Sequence, residues 1–199
     1  MEIEPAIADT SAIYIRRQSV AAQQKAIIAD SLRRLEQSAL TSTSSSVDEA
    51  NIRVRTELIQ DFVRRAATLE PDGVVVVSRG GTVKDLLLED NDVIVIPQKT
   101  DVVHVSGEVL IPKAITYEKG MSLHEYLESA GGLSDRADKD NILVAKQNGE
   151  VGKVQNMGIA PGDRILVMPR FDSKNMQLAK DFTQILYQIA VATKVAVGL

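Results

Sequence analysis

The stretch Val103-His104-Val105-Ser106-Gly107-Glu108-Val109 decides the fold. Its apolar and polar residues alternate as far as the glycine, which predicts a half-buried strand with two valines on its inner face. Gly107 and Pro112 then separate this strand from a second one around residues 115–117. Glycine and proline are the strongest local breakers of regular structure. The centre of the chain is therefore predicted to begin with two consecutive short strands.

A short helix is predicted next, because both of its ends carry capping signals. Ser122 and Glu125 have the spacing of a capping box. Gly131 and Gly132 supply a left-handed C-cap, and Leu133 is placed for the apolar contact that usually follows such a cap. The residues predicted to face the core are Leu123, Tyr126, Leu127 and Ala130.

Two turn signals predict further strands after this helix. Asn148-Gly149 lies between apolar runs at 142–146 and 151–154, and this dipeptide is the strongest short signal for a hairpin. Ala160-Pro161-Gly162-Asp163 fits a type II turn, with proline and glycine at its two central positions. This turn leads into a strand at 165–168.

The first hundred residues are predicted to form two units. Apolar residues recur at helical spacing from 16 to 40 and again after Ser46, where Ser46 and Glu49 form a second predicted capping box. Residues 1–70 are therefore interpreted as a helical hairpin. The period changes at Gly73, and short strands are predicted at 74–77 and 93–96.

The C-terminal section, residues 171–199, allows two interpretations. Its apolar side chains recur on one side of a helix that is roughly long enough to cross a bilayer core of about 30 Å. The alternative is a helix packed on the body of the same chain. The side chains that would contact lipid in the first interpretation, and the core in the second, are Phe182, Ile185, Leu186 and Ile189.

Composition excludes several classes of function. The chain has 199 residues, 23 Lys+Arg against 27 Asp+Glu and a net charge of −4, so it lacks the basic excess typical of nucleic-acid binding. The absence of cysteine excludes thiolate nucleophiles and cysteine-ligated metals. His104 and His124 lack metal-ligand spacing and are expected to be surface residues. Asp135, Asp138 and Asp140 depart from a calcium loop, so this stretch is interpreted as a polar loop. No catalytic constellation is found, and no cofactor is expected.

These motifs together resemble the soluble ligand-binding β-grasp (SLBB) domain. The resemblance rests on the 103–109 stretch, on the helix ending in Ala130-Gly131-Gly132-Leu133 and on the 161–163 turn with its strand. The flanks resemble bacterial capsule and exopolysaccharide export proteins. An α+β fold follows, with a helical hairpin at 1–70, a partial β-grasp unit at 71–101, an SLBB domain at 102–170 and an amphipathic helix at 171–199. The motif residues carry over as turn and packing positions only: Gly107, Pro112, Gly131, Gly132, Pro161, Gly162 and Asp163.

The resemblance implies a function as well as a fold. Members of this family conduct polysaccharide out of the cell as ring-shaped homo-oligomers in the periplasm or outer membrane, together with inner-membrane export machinery. We therefore expect a non-enzymatic export component with polysaccharide and further copies of itself as partners. Residues 1–5 show no signal peptide, so we expect the sequence to be part of a longer exported chain. The alternatives are a periplasmic β-grasp module that binds glycan or a partner and, less favoured, a glycan hydrolase.

Overall fold

A computed structural model describes residues 6–41, 49–170 and 176–193. The predicted capping box at Ser46 lies outside these residues. The helices are α1 (Gln18–Thr41), α2 (Glu49–Ala67), α3 (Leu123–Ser129), α4 (Val154–Met157) and α5 (Met176–Thr193), with a 3-10 turn at Thr10–Ala12. The strands are β1 (Tyr14–Arg16), β2 (Val74–Val76), β3 (Ser78–Arg79), β4 (Thr82–Val83), β5 (Val93–Val95), β6 (Val102–Gly107), β7 (Lys113–Thr116), β8 (Ala137–Ala145), β9 (Val151–Lys153) and β10 (Arg164–Pro169). The predicted α+β class is confirmed.

The larger sheet has five strands in the order β7-β6-β10-β8-β9. Strands β6 and β10 are parallel, and the other neighbours are antiparallel. Helix α3 covers one face of this sheet, and the predicted capping box at Ser122 and Glu125 is present. The core on this face consists chiefly of Val103, Val105, Tyr126, Ala130, Val144, Ile165 and Val167, each no more than 1% exposed.

The opposite face of the same sheet is covered by the three long helices. Leu143, Leu166 and Met168 point into a second core that also contains buried residues of α1, α2 and α5. Because β10 is buried on both faces, its sequence is a continuous apolar run rather than an alternating one. The five-stranded sheet therefore lies between two helical layers. The three long helices cover one side of β10, and α3 covers the other.

The smaller sheet has the order β2-β1-β5, with β1 in the centre. Tyr14 pairs with Val76 on one side and with Val95 on the other, both antiparallel. Sequence analysis predicted β2 and β5 but not β1, which precedes the helical hairpin. The smaller sheet therefore takes its central strand from residues before α1.

The C-terminal helix packs on the body of this chain. Ile185, Leu186 and Ile189 are at most 5% exposed and lie in the core shared with α1 and α2. Phe182 is half-buried, and its ring centroid lies 4.7 Å from that of Phe62 in α2. The four apolar residues singled out from the sequence therefore contact protein.

Among the helices of the described residues, none combines the length and the apolar character needed to cross a bilayer.

Replacing Ile189 with alanine tests the packing of α5. Ile189 is fully buried, so removing its outer methyl groups is expected to lower the free energy of unfolding by about 2–5 kcal/mol. Gln184→Ala, on the exposed side of the same helix, is the control and should change stability by less than about 0.5 kcal/mol. Urea denaturation of both variants measures the difference. Equal stabilities for the two variants would contradict the packing of α5 on the body.

Strand β8 begins earlier than the sequence indicated. The stretch containing Asp138 and Asp140 was interpreted as a polar loop, but the strand starts at Ala137, which pairs with Pro169 of β10. The pairing across β10 extends the strand although its first half is polar. Within the described residues, no group of acidic or histidine side chains could hold a metal ion.

Candidate functional site

The SLBB motif residues meet at strand β6, which they fix at both ends. At its beginning, the amide of Gly162 donates to Val102 O at 2.9 Å, and the amide of His104 donates to Asp163 O at 3.0 Å. Gly162 has a φ of 82°, and the Asp163 amide donates to Ala160 O at 3.2 Å, as a type II turn requires. The 160–163 turn therefore joins β10 to the start of β6.

The other end of β6 is held by glycines. Gly107 has a φ of 86°, and a Cβ built on it would lie 2.1 Å from Val167 O. The amide of the next residue, Glu108, donates to that same oxygen at 3.0 Å. The chain can approach β10 this closely only without a side chain, so Gly107 is required by geometry.

The loop after β6 is bound to the C-terminal end of α3. The amide of Leu110 donates to Gly132 O at 3.1 Å, and the amide of Ile111 donates to Ala130 O at 2.9 Å. Gly131 and Gly132 both have positive φ and close the helix as predicted. Pro112 is exposed at the end of this loop, just before β7. These positions connect strand and helix and present no reactive group.

Asp163 forms a buried ion pair that the sequence did not reveal. Its side chain is 2% exposed, and Oδ2 accepts from Lys146 Nζ at 2.6 Å and from the Ala160 amide at 2.7 Å. Burial raises the pKa of Asp163, while the hydrogen bonds from Lys146 and Ala160 oppose this rise. Lys146 also donates to Gly158 O at 3.1 Å. The pair therefore connects the β8–β9 hairpin to the turn before β10.

A second charged cluster fixes the loop before β5. Arg17 contacts Asp92 through two nitrogens, Nε at 3.0 Å and Nη2 at 2.7 Å, and its Nη1 lies 2.9 Å from Glu89. The hydrogen bonds from Arg17 hold the pKa of Asp92 below its usual range. Nη2 also donates to Leu87 O at 2.9 Å. The arginine therefore sets the path of the chain through residues 87–92.

This loop and its neighbouring strands carry an exposed apolar segment, which we define as Val83, Leu86, Leu87, Leu88, Val93 and Ile94. Leu87 is 91% exposed, the highest value among the large apolar side chains of the described residues. Strand β5 is an edge of the smaller sheet, so one side of its backbone has no partner strand among the described residues. Exposed apolar residues beside an open strand edge are typical of an association surface.

The histidines remain at the surface, as expected from the sequence. His104 is exposed on β6. His124 is exposed on α3, where its Nε2 lies 3.4 Å from Glu128 Oε1. They belong to different elements and do not converge on a common site.

The central part of the chain matches a known domain family. Residues 102–158 match the family model of the SLBB domain, which covers β6 to α4. This part of the chain is therefore similar to the SLBB domain.

The similarity to characterised proteins extends beyond that domain. Two curated sequences of the polysialic acid transport protein KpsD from Escherichia coli are each 40% identical to this chain over 191 residues, or 95% of its length. The chain spans 34% of the length of these relatives. The resemblance to the capsule and exopolysaccharide export family is confirmed.

Sequence analysis found the motif glycines but neither the buried ion pair of Asp163 nor the exposed apolar segment. Lys146 and Asp163 are 17 positions apart and meet only because β8 and β10 are neighbours. The exposed apolar segment had a visible signal, three consecutive leucines between acidic residues at 85 and 89. A run of this kind is equally typical of a buried strand, so its exposure required the structure.

Proposed function

We propose that this chain is a non-enzymatic component of a polysaccharide export assembly. The observation that carries the proposal is the 40% identity over 95% of the chain to a polysialic acid transport protein. A catalytic role has no support in the side chains described above, because the motif residues are turn and packing positions. The proposed partners are polysaccharide, inner-membrane export machinery and further copies of the chain, without nucleic acid or cofactor. The proposed location is the periplasm or the outer membrane.

We propose further that the chain acts by assembling into a ring. A ring of identical subunits needs two different surfaces on each subunit that fit one another. The exposed apolar segment and the open edge of β5 supply one such surface. Burying these six apolar side chains between subunits would favour association through the hydrophobic effect.

Leu87→Asp tests the assembly. Because Leu87 is 91% exposed, the substitution should leave the free energy of unfolding within about 0.5 kcal/mol of the original value. It should lower self-association at least about tenfold, since a charge buried in an apolar interface is costly. Sedimentation velocity over a concentration series measures both oligomer size and affinity.

The matched control makes the same change at another exposed leucine, Leu110, in the loop after β6. Leu110→Asp should associate like the original chain. A chain that remains monomeric at every concentration would contradict ring assembly. Normal polysaccharide export by cells in which the gene has been deleted would contradict the export role itself.

A second candidate function is a monomeric periplasmic module that binds glycan or a partner. The observation in its favour is the packing of α5 on the body of the chain, where Ile185 and Ile189 are at most 1% exposed. The two functions differ in their response to protease. Protection of α5 in a lipid-free monomer would favour the binding module, whereas protection that appears only on association would favour the assembly.

A further inference from the structure

A cleft of about 430 Å³ lies beside α3, at the end of β10. Its apolar base comes from Leu127 of α3, Leu133 just after the helix and Ala137 at the start of β8. Leu127 and Ala137 are buried in the core, so the base of the cleft is held in place. Since a cavity of about 150 Å³ is enough for a benzene ring, this cleft has room for more than one large apolar side chain.

The rim of the cleft carries charges of both signs. Glu128 and Asp135 are acidic, Lys139 and Arg170 are basic, and all four are exposed. Because these charges offset one another, the rim does not select a ligand by its net charge. An apolar centre surrounded by a polar rim is the usual anatomy of a protein–protein interface. The cleft therefore suits a partner that is apolar at its centre and carries both signs of charge around it.

The exposed apolar segment of this same chain has that composition. Its three leucines at 86–88 are all exposed. Lys84-Asp85 precede the leucines and Glu89-Asp90 follow them, and these charged residues are exposed as well. Arg17 holds the loop in place, because its Nη2 donates to Leu87 O at 2.9 Å. The leucines are therefore presented from a fixed loop with charges of both signs on either side.

The segment and the cleft lie on opposite sides of the junction between the two sheets. At this junction, near the 160–163 turn, Gln147 Nε2 donates to Gln98 O at 2.6 Å, and Asn148 Nδ2 donates to Ser78 O at 2.7 Å. Strand β10 runs away from the turn and ends at the cleft, and its six residues span about 20 Å. The segment of one subunit therefore cannot fill the cleft of the same subunit.

We propose that the leucines at 86–88 of one copy insert into the cleft beside α3 of the next copy, an inference that rests on the proposed ring assembly. Leu87 contacts Leu127 and Leu133 at the base of the cleft. The charged residues on either side of the leucines meet the mixed rim. Each subunit then uses two different surfaces, one toward each neighbour, and such head-to-tail contacts generate a ring when the rotation between subunits closes.

Cysteine cross-linking tests this contact directly, because the chain contains no cysteine. The full chain carrying Leu87→Cys is mixed with the full chain carrying Asp135→Cys and oxidised with copper phenanthroline. A disulfide needs Cβ atoms about 4 Å apart, so it forms where the two surfaces meet. We expect a covalent dimer with one chain of each kind. Glu128→Cys, on a different element of the rim, repeats the test, so that one unfavourable angle does not hide the contact.

The matched control mixes Leu87→Cys with Lys113→Cys, an exposed position on β7 outside the cleft lining. It should give at least about tenfold less covalent dimer. Leu87→Cys alone should also remain without cross-links, because the proposed contact does not join the segment to itself. A chain that carries both Leu87→Cys and Asp135→Cys should form a series of covalent multimers, since each subunit then links to two neighbours.

The failure of this inference can be told apart from the failure of ring assembly. Cross-linking of Leu87→Cys with itself would assign the segment to a symmetric contact and overturn the proposal. Equal cross-linking to Lys113→Cys would overturn it as well, since random collisions would then explain the product. If the chain associates but neither rim position cross-links, the cleft is not the second surface, and ring assembly still stands. A chain that sediments as a monomer at every concentration contradicts both.

Discussion

Replacing Gly107 with alanine is expected to lower the free energy of unfolding by more than about 3 kcal/mol. Two causes add at this position. An alanine at φ 86° occupies the left-handed region, which costs about 1–2 kcal/mol. Its Cβ would also lie 2.1 Å from Val167 O, so β6 and β10 would have to separate. Urea denaturation, followed by circular dichroism, measures the loss.

Gly120→Ala is the matched control for this prediction. Gly120 has a similar φ of 93°, but a Cβ built on it has no neighbouring atom within 4 Å. This variant therefore isolates the backbone cost and should lose only about 1–2 kcal/mol. If the two alanine variants were equally stable, the close contact between Gly107 and β10 would have no energetic role.

Replacing Lys146 with methionine is the second large change, because it leaves the carboxylate of Asp163 buried without its cation. The expected loss at neutral pH is about 3–5 kcal/mol. The double variant Lys146→Met/Asp163→Asn removes both charges and should recover a large part of that loss. A double variant less stable than Lys146→Met would contradict a charge-burial mechanism. Thermal and urea unfolding of the three proteins provides the comparison.

The loss in Lys146→Met should depend on pH in a definite direction. Burial already raises the pKa of Asp163 in the folded chain, and removal of the lysine raises it further. Near pH 3 the carboxyl is protonated in both the folded and the unfolded state, so the charge-dependent part of the loss disappears. As pH rises, Asp163 ionises in the folded original chain before it ionises in the folded variant, because Lys146 lowers its pKa. The unfolded chains ionise alike, so the loss grows between these two folded-state ionisations and is constant above the second. A loss that is constant from pH 3 to pH 7 would contradict this account.

Much of the SLBB domain could be predicted because its signals are local. The alternation before Gly107, the capping box at Ser122, the Asn148-Gly149 hairpin and the 160–163 turn each lie within a few residues, and the structure contains all four. Local signals of this kind are determined by backbone conformation rather than by distant contacts. The turns and caps that these signals predict are therefore present in the folded chain.

The features that sequence analysis missed depend on contacts between distant segments. Strand β1 has only three residues, too few for a periodic pattern, and its partners lie beyond two helices. The environment of α5 was ambiguous because an apolar helix face can contact either lipid or protein. The surface of α1 and α2 on which α5 packs was not visible in the sequence.

The central position of β1 has a consequence for folding kinetics. The ribosome synthesises β1 before both of its partners. Strand β2 follows only after the helical hairpin, and β5 follows after a further loop. Pairings between distant segments form slowly, since a long loop must close before any contact compensates the lost entropy. The smaller sheet should therefore form more slowly than the local hairpins and turns of the chain. Until then its apolar strands stay open to chaperones.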